Sequence, residues 1–569
     1  MTAPVDNVRN MRSEHDLVIV GSGGGGLVAG LAARASGFEP LIIEKTEYLG
    51  GTTALSHGAL WLPNNPLGRA AGFDDSVEAG LDYLKSVVGD QGPATTRVRQ
   101  EAFIRGGDRA IRFLQRKGVE LRLIPNYPDY YPDAPGARLE GRMIAAPMLD
   151  ARTLGDWQSL PRPRPPLPGG IVMSSVEQFL AILSVGFSWR SRAKVAQIVA
   201  ASAALKARGV KPLVMGQAYI GQLLRAARAS NLRIARNTAL KELQIVDGRV
   251  VGVVAVAGGR EIDIRARHGV LLNAGGYSRN PGLRAEFGPQ PASTNWTATI
   301  AADTGDAFTA ARSIGAATTN LDKAYWLPGL INQHGSAAIF VAERVVPHSI
   351  LVDSAGQRFA NEAQSYMQLG NEQYARHQTV PAIPAYLIID ARHRRRYSLG
   401  ETLPGVPPRA WLASGHLKRA RTLRELADQC GIDADGLEST VARFNQMARE
   451  GVDRDFGRGS NAYDLVYADP GHGGPNPSLG TIEEAPFYAA KMVPTDVGMA
   501  GGLLTDEHAR VINRDGDPIE GLYASGTSAA SCMGDKYPGG GVSLAQSTVF
   551  GFIATEHIIE RARTGAIVG

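Results

Sequence analysis

"DLVIVGSGGGGLVAGLAARASGFEPLIIEK", Asp16 to Lys45, changes its hydrophobic period twice within one short stretch. Leu17 to Val20 is an apolar run of strand length, the glycines make a turn, small residues continue at helical spacing, and a second apolar run ends at Glu44. Strand, turn, helix and strand make a βαβ unit, and strands separated by helices imply a parallel sheet in an α/β fold. Gly21, Gly23 and Gly26 fit G-x-G-x-x-G, with Gly24 beginning the helix. The first glycine allows the turn, the second lets a pyrophosphate approach, and the third lets helix pack on strand. The helix N-terminus then faces the diphosphate, and a carboxylate about 20 residues on accepts from ribose hydroxyls. Glu44, followed by Lys45, stands at that distance.

A second glycine-rich loop follows at once, "GGTTALSHGALWLPNN", Gly50 to Asn65. A nicotinamide-only enzyme has no obvious use for it. In FAD enzymes a loop at this place covers the pyrophosphate and the flavin edge, so Gly51, Thr52, Thr53, Ser56 and Gly58 are candidate contacts and FAD is favoured over NAD. His57 could anchor a flavin covalently, but a lone loop histidine is usually packed or solvated, and noncovalent binding is preferred. Two later segments read as returns of the chain to the same place. "RHGVLLNAGGYSRN", Arg267 to Asn280, is a strand running into Ala274 and Gly275, and "GLYASGTSAA", Gly521 to Ala530, is a strand ending in Gly526 and Thr527. The expected architecture is therefore a Rossmann-like FAD domain built from both chain ends, residues 1–323 and 494–569. An α+β substrate domain, 324–493, is inserted between them.

The bulk numbers suit this. The 569 residues are 44% apolar and 20% charged, enough for a large core and more than one domain. Cys430 and Cys532 stand far apart with no C-x-x-C, which suggests neither a disulfide framework nor a zinc site, and no metal is expected. The N-terminus lacks a secretory layout and no apolar run is long enough to span a bilayer, so a cytoplasmic protein is expected. A net charge of +5 with no basic run interleaved with aromatics does not read as a nucleic-acid surface.

Near the C-terminus "DKYPGGGVSL", Asp535 to Leu544, joins a phenol, a proline and three glycines to an apolar segment. Such a turn could aim N–H groups at an oxyanion, or could be an ordinary surface turn.

In chain order, "GSGGGG", "GGTTALSHGALWLPNN", "YPDYYPDAPGA", "AYWLPGL", "GQRFANEAQSY", "DFGRG", "VPTDVGMAGGLLTD", "GLYASGT" and "YPGGGVSLA" resemble the 3-ketosteroid Δ1-dehydrogenases. These are flavoenzymes with the succinate dehydrogenase and fumarate reductase type of fold, and the resemblance runs over nearly the whole chain. It implies noncovalent FAD, a 3-ketosteroid substrate, a quinone-like electron acceptor and a place in steroid degradation. It further implies that Tyr537 and the N–H of Gly541 hold the ring-A carbonyl oxygen, and that Tyr366, five residues after Asn361 of "RFANE", takes the C2 proton. Tyr130 of "PDY" assists it, hydride leaves C1 for the flavin, and Ser543 and Leu544 join the cofactor contacts. Tyr127, Tyr131, Tyr325 and Tyr488 read as packing or pocket-lining groups. This sequence departs from the family at His57, where glycine is common, and at Thr527, where Asn or Glu is common. A 3-ketosteroid 4-(5α)-dehydrogenase or another fumarate-reductase-like flavoprotein, and a non-catalytic FAD-binding electron carrier, are the alternatives.

From Gln178 to Lys241 there is no acidic residue, while Arg190, Arg192, Lys194, Lys206, Arg208 and Lys211 stand beside apolar runs. An apolar helix followed by a cationic one, with Phe187 and Trp189 suited to an interface, reads as a monotopic anchor on the inner face of the cell membrane. A packed helical hairpin within 174–212 or a dimer contact reads equally well.

Overall fold

The computed structural model describes residues 13–165, 170–183, 185–186, 189–332, 336–400 and 402–565. Leu17–Val20 is a fully buried strand, followed by the helix Gly24–Ala35 and the strand Pro40–Ile43. Val, Ile and Leu on both strand faces are what a parallel strand covered on two sides requires. Val270–Leu272 pairs in parallel with Leu17–Val20 on one side and with Pro518–Ala524 on the other. The six-stranded sheet thus runs Arg510–Ile512, Pro518–Ala524, Val270–Leu272, Leu17–Val20, Pro40–Ile43, Arg233–Ala235, and draws its neighbours from both ends of the chain. The C-terminal helix, Val542–Arg563, lies across the first helix. A Cβ on Gly25 would stand 2.2 Å from the Ser547 carbonyl oxygen, so only glycine permits that approach.

A second sheet is wholly antiparallel: Ala337–Ile339, Ala324–Ile331, Phe487–Met499, Ala385–Ile389 and Ser349–Val352, with Leu417–Ala420 also on Phe487–Met499. Its long strand ends at Met499 and hands the chain back to the first sheet. Helix Tyr366–His377 packs on Ala324–Ile331 and carries Tyr366 as its first residue. The mixed α/β class agrees with the sequence reading.

The basic, apolar segment forms two helices, Val176–Leu183 and Trp189–Ala207. The second is mostly exposed, with Ile198 and Ser202 buried among its described side chains and Trp189 74% exposed. The first differs from the lipid-facing expectation: Phe179 lines the large internal cavity and meets His57 edge-on, with ring centroids 5.6 Å apart. An apolar helix face looks the same in sequence whether it covers lipid or a cavity. Phe187 lies outside the described residues. Among the described residues no helix is long and apolar enough to cross a membrane.

Candidate active site

One cavity of about 510 Å³ runs from the first glycine turn to the "YPGGG" turn. At one end Glu44 is buried, with one carboxylate oxygen accepting from the Ser22 N–H and hydroxyl (3.1 and 2.6 Å) and the other from the Thr46 N–H and hydroxyl (2.9 Å each). These donors hold the carboxylate in place at the cavity wall and leave lone pairs for further acceptance. Lys45 lines the cavity too, but its ammonium is engaged by Asp306 at 2.8 Å and Thr304 at 2.6 Å. Gly21, Gly23, Gly51, Thr52, Thr53, Ser56, Gly58, Ala274, Gly275, Gly526, Thr527, Ser543 and Leu544 all line the same space. Gly24 and Gly26 stand behind the wall, bonded through their N–H groups to Thr53 and Asn273.

The fit of a dinucleotide is testable at Gly51. A Cβ there would find nothing nearer than the Gly23 Cα at 3.8 Å, so the room between the two glycines is not filled by protein. Backbone on both sides, a helix N-terminus and the Glu44 carboxylate make a donor and acceptor set suited to FAD.

At the other end three phenols meet. Tyr130, Tyr366 and Tyr537 are 5%, 9% and 4% exposed. The Tyr130 hydroxyl donates to that of Tyr366 at 3.2 Å. Ring centroids of Tyr130 and Tyr366 are 5.3 Å apart, of Tyr366 and Tyr537 5.0 Å, and of Tyr130 and Tyr537 5.9 Å. Tyr130 is held by its loop: its N–H donates to the Pro538 carbonyl (2.9 Å), which also receives the Tyr83 hydroxyl (2.7 Å). The preceding Asp129 accepts from Trp61 Nε1 and Arg142 Nη1, both at 2.7 Å. Tyr366 is held from below. Asn361 donates to Asp464 at 2.9 Å, and buried Arg358 joins Glu362 (2.7 Å) and Asp453 (2.8 Å).

Gly541 caps the C-terminal helix with φ +93°, and a Cβ there would lie 2.0 Å from the Ala59 carbonyl oxygen. Glycine is obligatory at that bend. The Tyr537 hydroxyl meets that of Ser543 at 3.0 Å. Burial pushes the Tyr537 phenol up in pKa, opposed by hydrogen bonds from Ser543, Tyr366 and the Gly541 N–H. A phenol and a backbone N–H therefore converge where a developing oxyanion can be stabilised. Burial also drives Tyr366 and Tyr130 well above the ordinary phenol range, with the Tyr130 hydrogen bond pulling Tyr366 the other way. A base at Tyr366 needs more help than one hydrogen bond.

Several cavity residues carry little signal in the sequence. Tyr467, whose hydroxyl meets that of Tyr127 at 2.8 Å, Glu343, Ile300 and Asp303 all line it, as do Phe179, Met173 and Arg164. "ADTGDA", Ala302 to Ala307, two acids around a glycine before a helix, is a turn signal that could have pointed to Asp303. His57 is exposed to the cavity, and the protein around that space together with the Arg164 guanidinium lowers its pKa.

Residues 16–544 match the family model for an FAD binding domain. A 3-oxosteroid 1-dehydrogenase of Mycobacterium tuberculosis is 37% identical over 96% of this chain and 99% of its own. A 4-oxocyclohexanecarboxylate 2-dehydrogenase of Sinomonas cyclohexanicum is 34% identical, covering 97% and 94%. Among solved structures, the 3-ketosteroid Δ1-dehydrogenase of Sterolibacterium denitrificans in complex with 1,4-androstadiene-3,17-dione superposes with a TM-score of 0.89. It is 34% identical, covering 96% of this chain and 100% of that one.

Proposed function

Since the chain belongs to the FAD binding domain family and, within it, to the family of the 3-oxosteroid 1-dehydrogenases, we propose that it is an FAD-dependent dehydrogenase that introduces a C1–C2 double bond into ring A of a 3-ketosteroid. The observation that carries the reading is the meeting of Tyr130, Tyr366 and Tyr537 beside Gly541 at one end of a cavity whose other end fits FAD.

Removing a proton from C2 is feasible only if charge arriving on the C3 oxygen is stabilised. Tyr537 and the Gly541 N–H supply that stabilisation. Tyr366 receives the C2 proton, and Tyr130 steadies the Tyr366 oxygen while it does so. The Gly21–Glu44 unit, the Gly51–Gly58 loop, Gly275, Gly526 and the Ser543–Leu544 turn would hold FAD noncovalently, and the bound flavin would supply the hydride acceptor for C1. A quinone-like acceptor then removes the electrons.

The wall favours a bulky neutral ketone over a small keto acid. Leu327, Ile339, Val341 and Phe179 line it, and its Arg164 is turned to the Ser56 carbonyl and the Met215 sulfur. Anaerobic mixing with a 4-ene-3-ketosteroid tests the reading: the flavin should bleach and a 1,4-diene should form. An oxidised spectrum that persists would make the protein an FAD-binding carrier, and a C4–C5 product would make it a 4-(5α)-dehydrogenase.

We divide the chain into an FAD-binding domain, 1–323 and 494–569, and a substrate domain, 324–493. We further propose that the protein works in the cytoplasm, resting on the membrane surface through Trp189–Ala207. The exposed Trp189 and the cations Arg190, Arg192, Lys194 and Lys206 support this.

A further inference from the structure

Arg344 is 1% exposed, and no carboxylate among the described residues forms an ion pair with it. Its Nη2 donates to the Gln364 carbonyl at 3.0 Å, two residues before Tyr366, while its Nε and Nη1 have no hydrogen-bond partner among the described residues. A guanidinium does not shed its proton in a protein, and a buried, unpaired charge is costly. An anion is wanted beside it.

The titratable groups facing Arg344 are Tyr463, Tyr467, Asp464 and Arg458 from the loop after helix Ala434–Glu450, with Glu343 on its own segment. Asp464 is tied to Asn361 and to the Gly459 N–H. Glu343 lines the cavity and forms no ion pair with Arg344 among the described residues; burial raises its carboxyl to about 7, against the pull of Arg344 and of nearby backbone N–H groups. Arg458 is a second cation, spent on Glu362 and backbone carbonyls. The phenols remain. The Tyr463 side chain is buried, and its ring centroid is 4.2 Å from that of Tyr130, which donates to Tyr366.

We propose that Arg344 is a positioning residue for the base: it supplies the positive potential against which the tyrosine cluster gives up a proton, acting through Tyr463 and Tyr130 on Tyr366. The inference rests on the reading of Tyr366 as the acceptor of the C2 proton. In that step the C2–H bond breaks, its electron pair stays with the dienolate system, and the proton forms an O–H bond on the Tyr366 phenolate. Arg344 touches neither substrate nor cofactor. It lowers the cost of the phenolate that desolvation raises: at Tyr463 and Tyr467 its positive charge opposes the upward push of burial.

The test is the pH profile of ketosteroid-driven flavin reduction in the holoenzyme, with the tyrosinate ultraviolet band of the steroid-free protein titrated in parallel. Arg344→Gln should move the acidic limb up by about one unit or more and slow reduction at neutral pH about tenfold, with KM little changed. Arg344→Lys, which keeps the charge, should move it less than half as far. Tyr463→Phe should shift the limb in the same direction as Arg344→Gln, and both should raise the pH at which tyrosinate appears. A folded Arg344→Gln enzyme with full flavin and a wild-type limb and titration overturns the proposal. If that variant does not fold, an unshifted Tyr463→Phe overturns it. A wild-type flavin that steroid fails to reduce would strike the function instead, and the steroid-free titration would still decide the role of Arg344.

Discussion

The hydroxyl of Tyr130 donates to that of Tyr366 across 3.2 Å, joining a loop of the N-terminal half to the first residue of a helix on the antiparallel sheet. The bond is directional in its consequences: it stabilises charge on Tyr366, not on Tyr130. Tyr366→Phe should therefore lower the rate of flavin reduction by about 10²–10⁴, the range for losing a general base, with steroid affinity within a fewfold of wild type. Tyr130→Phe should cost less, about tenfold, because water or Tyr463 can replace one donor. Stopped-flow reduction and equilibrium steroid binding separate the two effects, and equal losses in both variants would refute the ordering.

Tyr537 and Gly541 fail differently. Tyr537→Phe removes one of the two donors proposed for the carbonyl oxygen and should cost about 10²–10³ in rate while the protein stays folded. Gly541→Ala places a Cβ 2.0 Å from the Ala59 carbonyl and forces a side chain into φ +93°. It should destabilise the C-terminal turn by at least ~1–3 kcal/mol and reduce flavin content as well as rate. Thermal melts and the flavin-to-protein absorbance ratio distinguish them; a Gly541→Ala protein with wild-type melting would contradict the packing described.

These residues were legible in unequal measure. Gly21 to Glu44 reads from sequence because a dinucleotide turn is local: strand, glycines, helix and carboxylate all lie within one βαβ unit. The tyrosines are not local. Tyr130 reaches Tyr537 only because its loop is hydrogen-bonded to Pro538 and buttressed by Asp129 on Trp61 and Arg142, contacts that no spacing rule announces. They are legible only through the family resemblance of the motifs around them. Arg344 and Tyr463 had no such signal, since an arginine reads as surface until its burial is known.

Glu343 contributes to the pH dependence of stability, as does Asp303, whose carboxyl burial raises to about 6. The Glu343 carboxyl is held at about 7 by burial, above the unfolded carboxylate range. Between those values the folded state binds a proton that the unfolded chain has lost, so stability falls as pH rises through that window and stays lower above it. Glu343→Gln should remove its share of the fall. The variant is expected to gain ~1–3 kcal/mol at pH ~8 relative to wild type and nothing at pH ~4. Calorimetry at the two pH values measures it, and a gain of equal size at both would show that another property of the side chain is responsible.

The two helices of the basic segment should separate in function. Phe179, on Val176–Leu183, faces the cavity and His57, so its loss should be felt by substrate. Phe179→Ala is expected to raise KM about tenfold with kcat within about twofold, the scale of partly uncovering one aromatic side chain. Trp189, Arg192 and Lys206 lie on the mostly exposed second helix and face no part of the cavity. Their combined replacement by Ser, Glu and Glu should leave turnover of a dissolved steroid unchanged. It should also release the protein from vesicles containing anionic lipid, because it removes both the headgroup attraction that salt screens and the interfacial ring that salt does not. Sedimentation with such vesicles at low and high salt is the measurement. Wild-type binding that vanishes with salt alone would assign the attachment to charge and leave Trp189 without a part in it. A triple variant that still sediments would return the second helix to the reading of a packing or self-association element.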